Sequence, residues 1–207
     1  MKSGESGTDA PEPPAKRRRD AGATREAILR SAVAAFTRHG YDGVGVREIA
    51  RDAGVTAMLI NRYFGSKEQL FAEAVDTAFA PRTVVSGEAG TLGRDTALTL
   101  VARTASGADR LDPFLLMLRS AGSPRAAEIV RTGVERHVGR DLAARLPGPG
   151  ADERAELLLS VLAGVWLMRK VLGTQALAGA DPAELAGRIE ALFEPLVSPP
   201  EAASTQD

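Results

Sequence analysis

The sequence predicts an all-α protein, and three observations carry the prediction. Apolar residues recur at helical spacing along most of the 207 residues. Glycine and proline interrupt that spacing at intervals of about one helix length. No segment shows sustained alternation of apolar and polar residues bounded by hairpin turns. Aromatics make up only 4% of the chain, so its core must be built from Leu, Val, Ile and Ala. The chain has no cysteine, which excludes a disulfide framework and thiolate metal sites and fits a reducing cytoplasm. Lys2 is followed by no apolar stretch, so no signal peptide is expected. The most apolar segment, residues 157–168, is too short to span a bilayer and runs into Arg169 and Lys170, so no membrane association is expected and the protein reads as soluble.

The elements follow in order. Residues 1–22 are rich in Gly, Ser, Pro and Glu, end near Lys16-Arg17-Arg18-Arg19 and hold almost no large apolar side chain, as in a disordered basic arm. From Thr24 to His39 the spacing Ile28, Leu29, Ala32, Val33, Phe36 is helical, with Thr24 as N-cap and Gly40 as stop. Short helices are expected near 46–53 and 57–63. A fourth runs from Lys67 to about Ala80, with Ser66 and Gln69 as a capping-box pair, and ends at Pro81. Residues 82–92 read as a loop. Five more helices are expected at roughly 92–106, 110–121, 124–146, 151–174 and 181–197, with Pro113, Pro124 and Pro182 near helix starts, where a missing N–H costs least. Residues 146–150, Leu-Pro-Gly-Pro-Gly, are a break. The domain division is then an arm at 1–22, a three-helix domain at 23–70, a helical domain at 71–198 and a disordered tail at 199–207.

Val46 to Phe71 holds the strongest functional signal. Ile49 and Ala53 point inward from one short helix, Ala50 is small where two helices cross, and Gly54 supplies the turn conformation that a β-carbon resists. Val55, Ile60, Tyr63 and Phe64 complete a small core. Thr56 suits an N-cap whose hydroxyl and nearby free N–H groups can meet a phosphate. This pattern reads as a helix-turn-helix, the device that lays a second helix in the DNA major groove, against the alternative of short helices that merely pack in a bundle. Charge agrees with it. The whole chain carries −1, but residues 16–80 hold 11 Lys/Arg against 8 Asp/Glu, an excess of three positive charges where DNA would lie.

Residues 24–71, TREAILRSAVAAFTRHGYDGVGVREIARDAGVTAMLINRYFGSKEQLF, resemble the TetR family of transcriptional regulators. The helix-one start, the His39-Gly40-Tyr41 break, the Arg47-Glu48-Ile49-Ala50 run and the Tyr63-Phe64-Gly65-Ser66-Lys67 block occur in order at fixed spacing. The resemblance implies an N-terminal helix-turn-helix DNA-binding domain followed by a helical ligand-binding and dimerisation domain. It further implies roles by position. Arg47 reaches a base edge or the backbone; a guanidinium can bridge guanine O6 and N7. Ala57, Met58 and Leu59 sit at exposed positions of the recognition helix, to touch thymine methyl groups. Thr56, Tyr63 and Lys67 hold phosphates. Asn61 stands where the family often has Tyr, and contacts a phosphate or reads adenine. Arg62 adds a backbone contact. Gly45 replaces the usual hydroxyl residue and removes a cap. A recognition helix this poor in donors implies that Arg47 and DNA shape supply much of the specificity. The basic arm either lies on DNA or is a solvated tail.

Beyond residue 80 the reading concerns dimerisation and a ligand. Residues 157–172 are nearly apolar around the whole helix, which requires burial on both sides, either inside one chain or against a second copy. The last helix has the stripe Leu185, Ile189, Leu192, Phe193, Leu196. In the family the final two helices form a four-helix dimer interface, which implies a homodimer on a palindromic operator in double-stranded DNA. The middle helices, about 92–146, should enclose an apolar pocket for a small hydrophobic effector. Phe114, Met117, Leu118, Val130, Val134, His137 and Trp166 are candidate lining residues, each alternatively plain core, and His137 is a candidate polar anchor or a surface residue. With no Cys and only His39 and His137, nucleophile–base and metal sites have little material. Gly87, Gly90 and Gly93 lack the Lys-Ser/Thr of a phosphate loop. Neither an enzyme nor a cofactor is expected; control by a protein partner instead of a ligand is the alternative.

Overall fold

The computed structural model describes residues 14–79, 85–88, 90–105 and 113–198, and the described residues contain helices and no strand. The first helix, α1 (Pro14–His39), starts ten residues before the expected cap at Thr24. Residues 14–22, expected within a disordered arm, therefore continue the helix. Pro14 at the first helical position lacks only an N–H that has no intrahelical partner there, and Ala, Lys and Arg behind it are strong helix formers. The rest of the arm and the tail at 199–207 lie outside the described residues.

The three-helix head forms as the spacing predicts. Ile28, Ala32 and Phe36 of α1 are fully buried. Against them packs α2 (Val46–Asp52), through Ile49 and Ala50, and α3 (Ala57–Phe64), packed on α2, adds Ile60 and Phe64 to the same core. Gly54 takes φ +69 in the turn between α2 and α3, and a β-carbon there would meet nothing within 4 Å, so its demand is purely conformational. The helix α4 (Lys67–Phe79) carries Leu70, Phe71, Ala74 and Val75 into the same core. Phe71 meets Phe36 edge-on at 4.9 Å and Tyr41 at 4.9 Å. Ser66 caps this helix by accepting from the Gln69 N–H at 3.1 Å. The Ser66 N–H itself turns back to the Phe64 carbonyl. The expected domain boundary at 70/71 falls inside α4, which serves both regions.

The body consists of α5 (Leu92–Thr104), α6 (Pro113–Ser120), α7 (Pro124–Val134), α8 (Arg140–Ala143), α9 (Ala151–Trp166), α10 (Gln175–Ala178) and α11 (Pro182–Val197). Two π-helical stretches depart from the expected uniform helices: Glu135–Gly139 joins α7 to α8, and Leu167–Val171 extends α9. The Val85–Glu88 stretch folds back on α5, with Ser86 Oγ donating to the Asp95 carbonyl at 3.0 Å. The last helix packs chiefly on α5, its Phe193 lying over Gly93. Pro182 stands at its start as expected, and Asp181 before it caps the helix by accepting from the Ala183 and Glu184 N–H groups.

Two buried arginines tie the body together. Arg154 donates to the carbonyls of Leu196 and Ser198 at 2.9 and 3.0 Å and to that of Pro147, joining the Pro-Gly break to the end of α11. Arg169, which reads in the sequence as the polar end of an apolar run, is instead 7% exposed. It donates to the Val101 carbonyl and Thr104 Oγ1 at the end of α5 and to the Leu177 carbonyl of α10. These acceptors lie near helix ends, where backbone carbonyls run out of intrahelical N–H donors, so the guanidinium supplies charge-assisted bonds in place of water.

Candidate DNA interface and the cavity behind it

The head presents α2 and α3 with one polar face outward. Arg47, Thr56, Asn61 and Arg62 are exposed, and Met58 is the most exposed large apolar side chain of the described residues at 80%. Ala57 and Leu59, expected to be exposed beside Met58, are half-buried instead. Three consecutive residues on a helix span about 200° of its circumference, so they cannot share a face. Ala57 lies on the inward side with Ile60 and Phe64, three and seven residues on, and packs against the core. Met58 alone projects.

Thr56 takes the extended conformation of an N-cap, but its hydroxyl makes no capping hydrogen bond. The amides of Leu59 and Ile60 already return to the Thr56 carbonyl. Thr56 is exposed and its hydroxyl is not spent on the cap, at the positive end of the recognition helix, where an anion is favoured. Gly45 begins α2 with no side-chain cap, in line with the cap its sequence lacks. Tyr63 is half-buried beside Phe64. Lys67 is half-buried too, and its Nζ sits 4.4 Å over the Tyr41 ring. Burial, assisted by the Glu68 and Asp42 carboxylates and opposed by Arg125, pushes the Tyr41 hydroxyl above its ordinary value. The ring beneath Lys67 accordingly stays neutral.

Two arginines near this face were not singled out by the sequence. Arg51 lies one turn after Arg47 on α2, 74% exposed and 3.6 Å from Asp52; an i, i+4 reading from Arg47 finds it. Arg25 pairs with Glu73 and lies 4.9 Å over the Phe64 ring, fastening α1 to the end of α3 and the middle of α4. No local signal announces that arrangement, because its partners are distant in sequence.

Behind the head, α4, α5, α6, α7 and α9 enclose a cavity of about 790 Å³. Phe114, Met117, Val130, Val134 and Trp166 from the sequence-expected set line it. Phe114 and Trp166 stack at 5.1 Å between ring centres, 25° from parallel. Leu118 and His137 do not line it, which corrects their expected placement. Leu118 falls on the outer face of α6 and is 42% exposed. His137 turns toward α4, where Nε2 lies 2.9 Å from Asp76 Oδ1, a carboxylate that Arg136 also approaches at 3.3 Å. Phe79, at the end of α4, lines the cavity and was not expected.

The cavity wall is fastened to the head at a second place. Arg119, at the end of α6, donates to the carbonyls of Thr37 at 2.9 Å and Arg38 at 2.5 Å, the last turn of α1. Ser120 Oγ accepts from the Tyr41 N–H at 3.2 Å. Gly40, at φ +72, sits so close beneath α6 that a β-carbon would stand 2.3 Å from the Arg119 carbonyl. The His39-Gly40-Tyr41 break is thus the seat of α6 as well as the end of α1.

Among the described residues no group of His, Asp and Glu could hold a metal ion, and no helix is long and apolar enough to cross a membrane.

Comparison with known proteins agrees with this geometry. Residues 28–74 match the family model for bacterial regulatory proteins of the tetR family, and residues 91–197 match the tetracyclin repressor-like C-terminal domain. The chain is 41% identical over 58 residues to the HTH-type transcriptional repressor SCO4008 of Streptomyces coelicolor, covering 28% of this chain and 30% of that protein. It is 40% identical over 88 residues to the HTH-type transcriptional regulatory protein RaaS of Mycobacterium tuberculosis, covering 42% of this chain and 40% of that one. These matches span well under half the length of the curated relatives. The structure of the multidrug binding protein EbrR complexed with imidazole superposes with a TM-score of 0.61 at 23% identity, over 88% of this chain and 98% of that one, a likeness of fold. With both family models matched in order and the helix-turn-helix built as they require, the chain belongs to the TetR family of DNA-binding transcriptional regulators.

Proposed function

We propose that the protein is a cytoplasmic repressor that binds a palindromic operator as a homodimer and leaves it when a small, hydrophobic ligand fills the cavity. The observation that carries this reading is the position of the cavity. Its walls include Phe79 of α4 and Phe114 and Met117 of α6, and both helices pack directly on the head. A ligand that displaces either wall acts on the helix-turn-helix, and its effect equals the difference in its affinity for the two arrangements. The name of SCO4008 as a repressor supports the sign of the regulation. The description of EbrR as a multidrug binding protein supports a cavity that takes small molecules.

Dimerisation rests on the outer face of α9 and α11. The inner face of α9 buries Leu158, Leu162 and Trp166, yet Leu157 (48%), Met168 (40%), Leu172 (61%) and, on α11, Leu192 (57%) remain exposed. The all-round apolar pattern thus resolves into one side spent on the chain's own core and one side offered outward, to a second copy of the chain.

On DNA, Arg47, Met58, Asn61 and Arg62 meet base edges and the backbone, while Thr56, Tyr63 and Lys67 hold phosphates. The half-buried Ala57 and Leu59 help position the helix. Selection of duplexes from a randomised pool, followed by sedimentation of the complex, tests the reading. The expected product is an inverted repeat with half-sites about one helical turn apart, bound by two chains. A single half-site bound by one chain contradicts it.

A further inference from the structure

We propose that Met58 is an oxidation site: hypochlorous acid converts its thioether to a sulfoxide and thereby weakens the hold of the recognition helix on DNA. This rests on the placement of Met58 at base edges above, and adds a chemical input separate from the cavity. The chain has no cysteine, so no thiol intercepts an electrophilic oxidant and the thioethers are its readiest targets. Its methionines are four, and Met1 lies outside the described residues. Of the other three, Met117 is half-buried in the cavity wall and Met168 is 40% exposed on the body. Met58 is 80% exposed, the most open large apolar side chain of the described residues. It also stands on the outward row of α3, one turn before the exposed Asn61 and Arg62. The most accessible thioether is therefore the one set on the reading face.

The oxidant alone balances the step. A sulfur lone pair attacks the oxygen of hypochlorous acid, and an S–O bond forms as the O–Cl bond breaks. Sulfur gives up two electrons, chloride leaves with them, and the hydroxyl proton passes to solvent. The product carries an acceptor oxygen where an apolar thioether stood. Against a thymine methyl that oxygen loses its water and gains no donor; against purine N7 or O6 it meets another acceptor. It also competes with DNA for the guanidinium of Arg62, one turn along the same row. Bound DNA covers Met58, so the oxidant acts on the free protein and holds it off the operator. A sulfoxide reductase that restores the thioether ends the response.

The full-length protein is treated with equimolar hypochlorite, with and without the selected operator, and quenched with free methionine. Peptide mass spectrometry locates the sulfoxide, and fluorescence anisotropy at fixed salt gives operator affinity. Sulfoxide is expected first at Met58, with affinity falling about tenfold, the size of one lost base contact. Sulfoxide reductases with dithiothreitol should restore it. Each variant serves as its own reference. Met58→Leu, which keeps Met117 and Met168, should show no fall on treatment. Met58→Gln, with a permanent polar oxygen, should bind more weakly than Met58→Leu before treatment and fall no further. Bound operator should slow oxidation at Met58 but not at Met168. Operator that leaves the Met58 rate unchanged overturns the placement of Met58 on DNA, and this proposal with it. A protected Met58 whose sulfoxide binds as tightly as the thioether overturns the proposal alone. So does an equal fall in Met58→Leu, or oxidation that reaches Met168 before Met58.

Discussion

The head and the body use the same helices for opposite ends. In the head, the residues proposed to read DNA lie outside a small, fully packed core: Arg47, Thr56, Met58 and Asn61 stand on a scaffold fixed by Ile49, Ala50, Ile60 and Phe64. In the body, the proposed working part is a space that the core leaves unfilled. A surface reader is specified by residues within one or two turns of each other. A cavity is specified by residues from five helices spread over residues 78–166. The difference explains why the curated relatives match over short stretches while the fold matches over nearly the whole chain. Packing a scaffold constrains sequence locally; enclosing a space leaves many solutions.

The comparison can be broken at the place where the two regions meet. The largest effect is expected from Gly40→Ala, which combines a left-handed backbone with a β-carbon driven into the Arg119 carbonyl. It should cost about 3 kcal/mol of stability, read from the urea midpoint. Gly54→Ala has the same backbone sign but open space, and should cost about 1 kcal/mol, within the head alone. Equal costs would show that α6 does not press on the α1–α2 turn.

Next in size, Arg169→Met should destabilise the body by about 2 kcal/mol. It removes the charged donor from the Val101 carbonyl and Thr104 Oγ1 at the end of α5. Hydrogen exchange should quicken in residues 92–104 and 167–178 and leave residues 46–64 unchanged. Acceleration in the head as well would mean that the two regions open as one unit. Arg119→Ala removes charge-assisted bonds across the junction and should cost about 1.5 kcal/mol, with faster exchange at residues 37–41. At the small end, Arg47→Ala should leave stability within about 0.5 kcal/mol, because Arg47 is exposed. It should nevertheless flatten base preference at one position of each half-site, a loss of about 1–3 kcal/mol of discrimination. An unchanged profile over randomised duplexes would remove Arg47 from readout.

Legibility in the sequence follows the same division. The helices of the head were readable to within a residue or two, apart from the start of α1, because caps, the Gly54 turn and apolar spacing act locally. Burial within the recognition helix was not: treating Ala57, Met58 and Leu59 as one exposed tip ignored the helical period that turns two of them partly inward. In the body the helices were readable, and five of the seven residues proposed for the pocket do line it. His137 and Leu118 do not, since nothing in a stripe of apolar spacing says which side faces a void and which faces a neighbouring helix or solvent. Arg169 misled for a different reason. Its carbonyl partners come from α5 and α10, and a cation satisfied by helix ends leaves no acidic partner to find in the sequence.

The central claim is that filling the cavity weakens the grip of the head on DNA, and a cavity-filling substitution tests it without any ligand. Val134 lines the cavity from the last turn of α7, and Val134→Trp places an indole into the space. Affinity for the selected operator, measured by fluorescence anisotropy at fixed salt, should fall about tenfold or more while the melting temperature holds or rises, the size expected of a coupling between two sites. Unchanged operator affinity in a folded Val134→Trp protein would contradict the account.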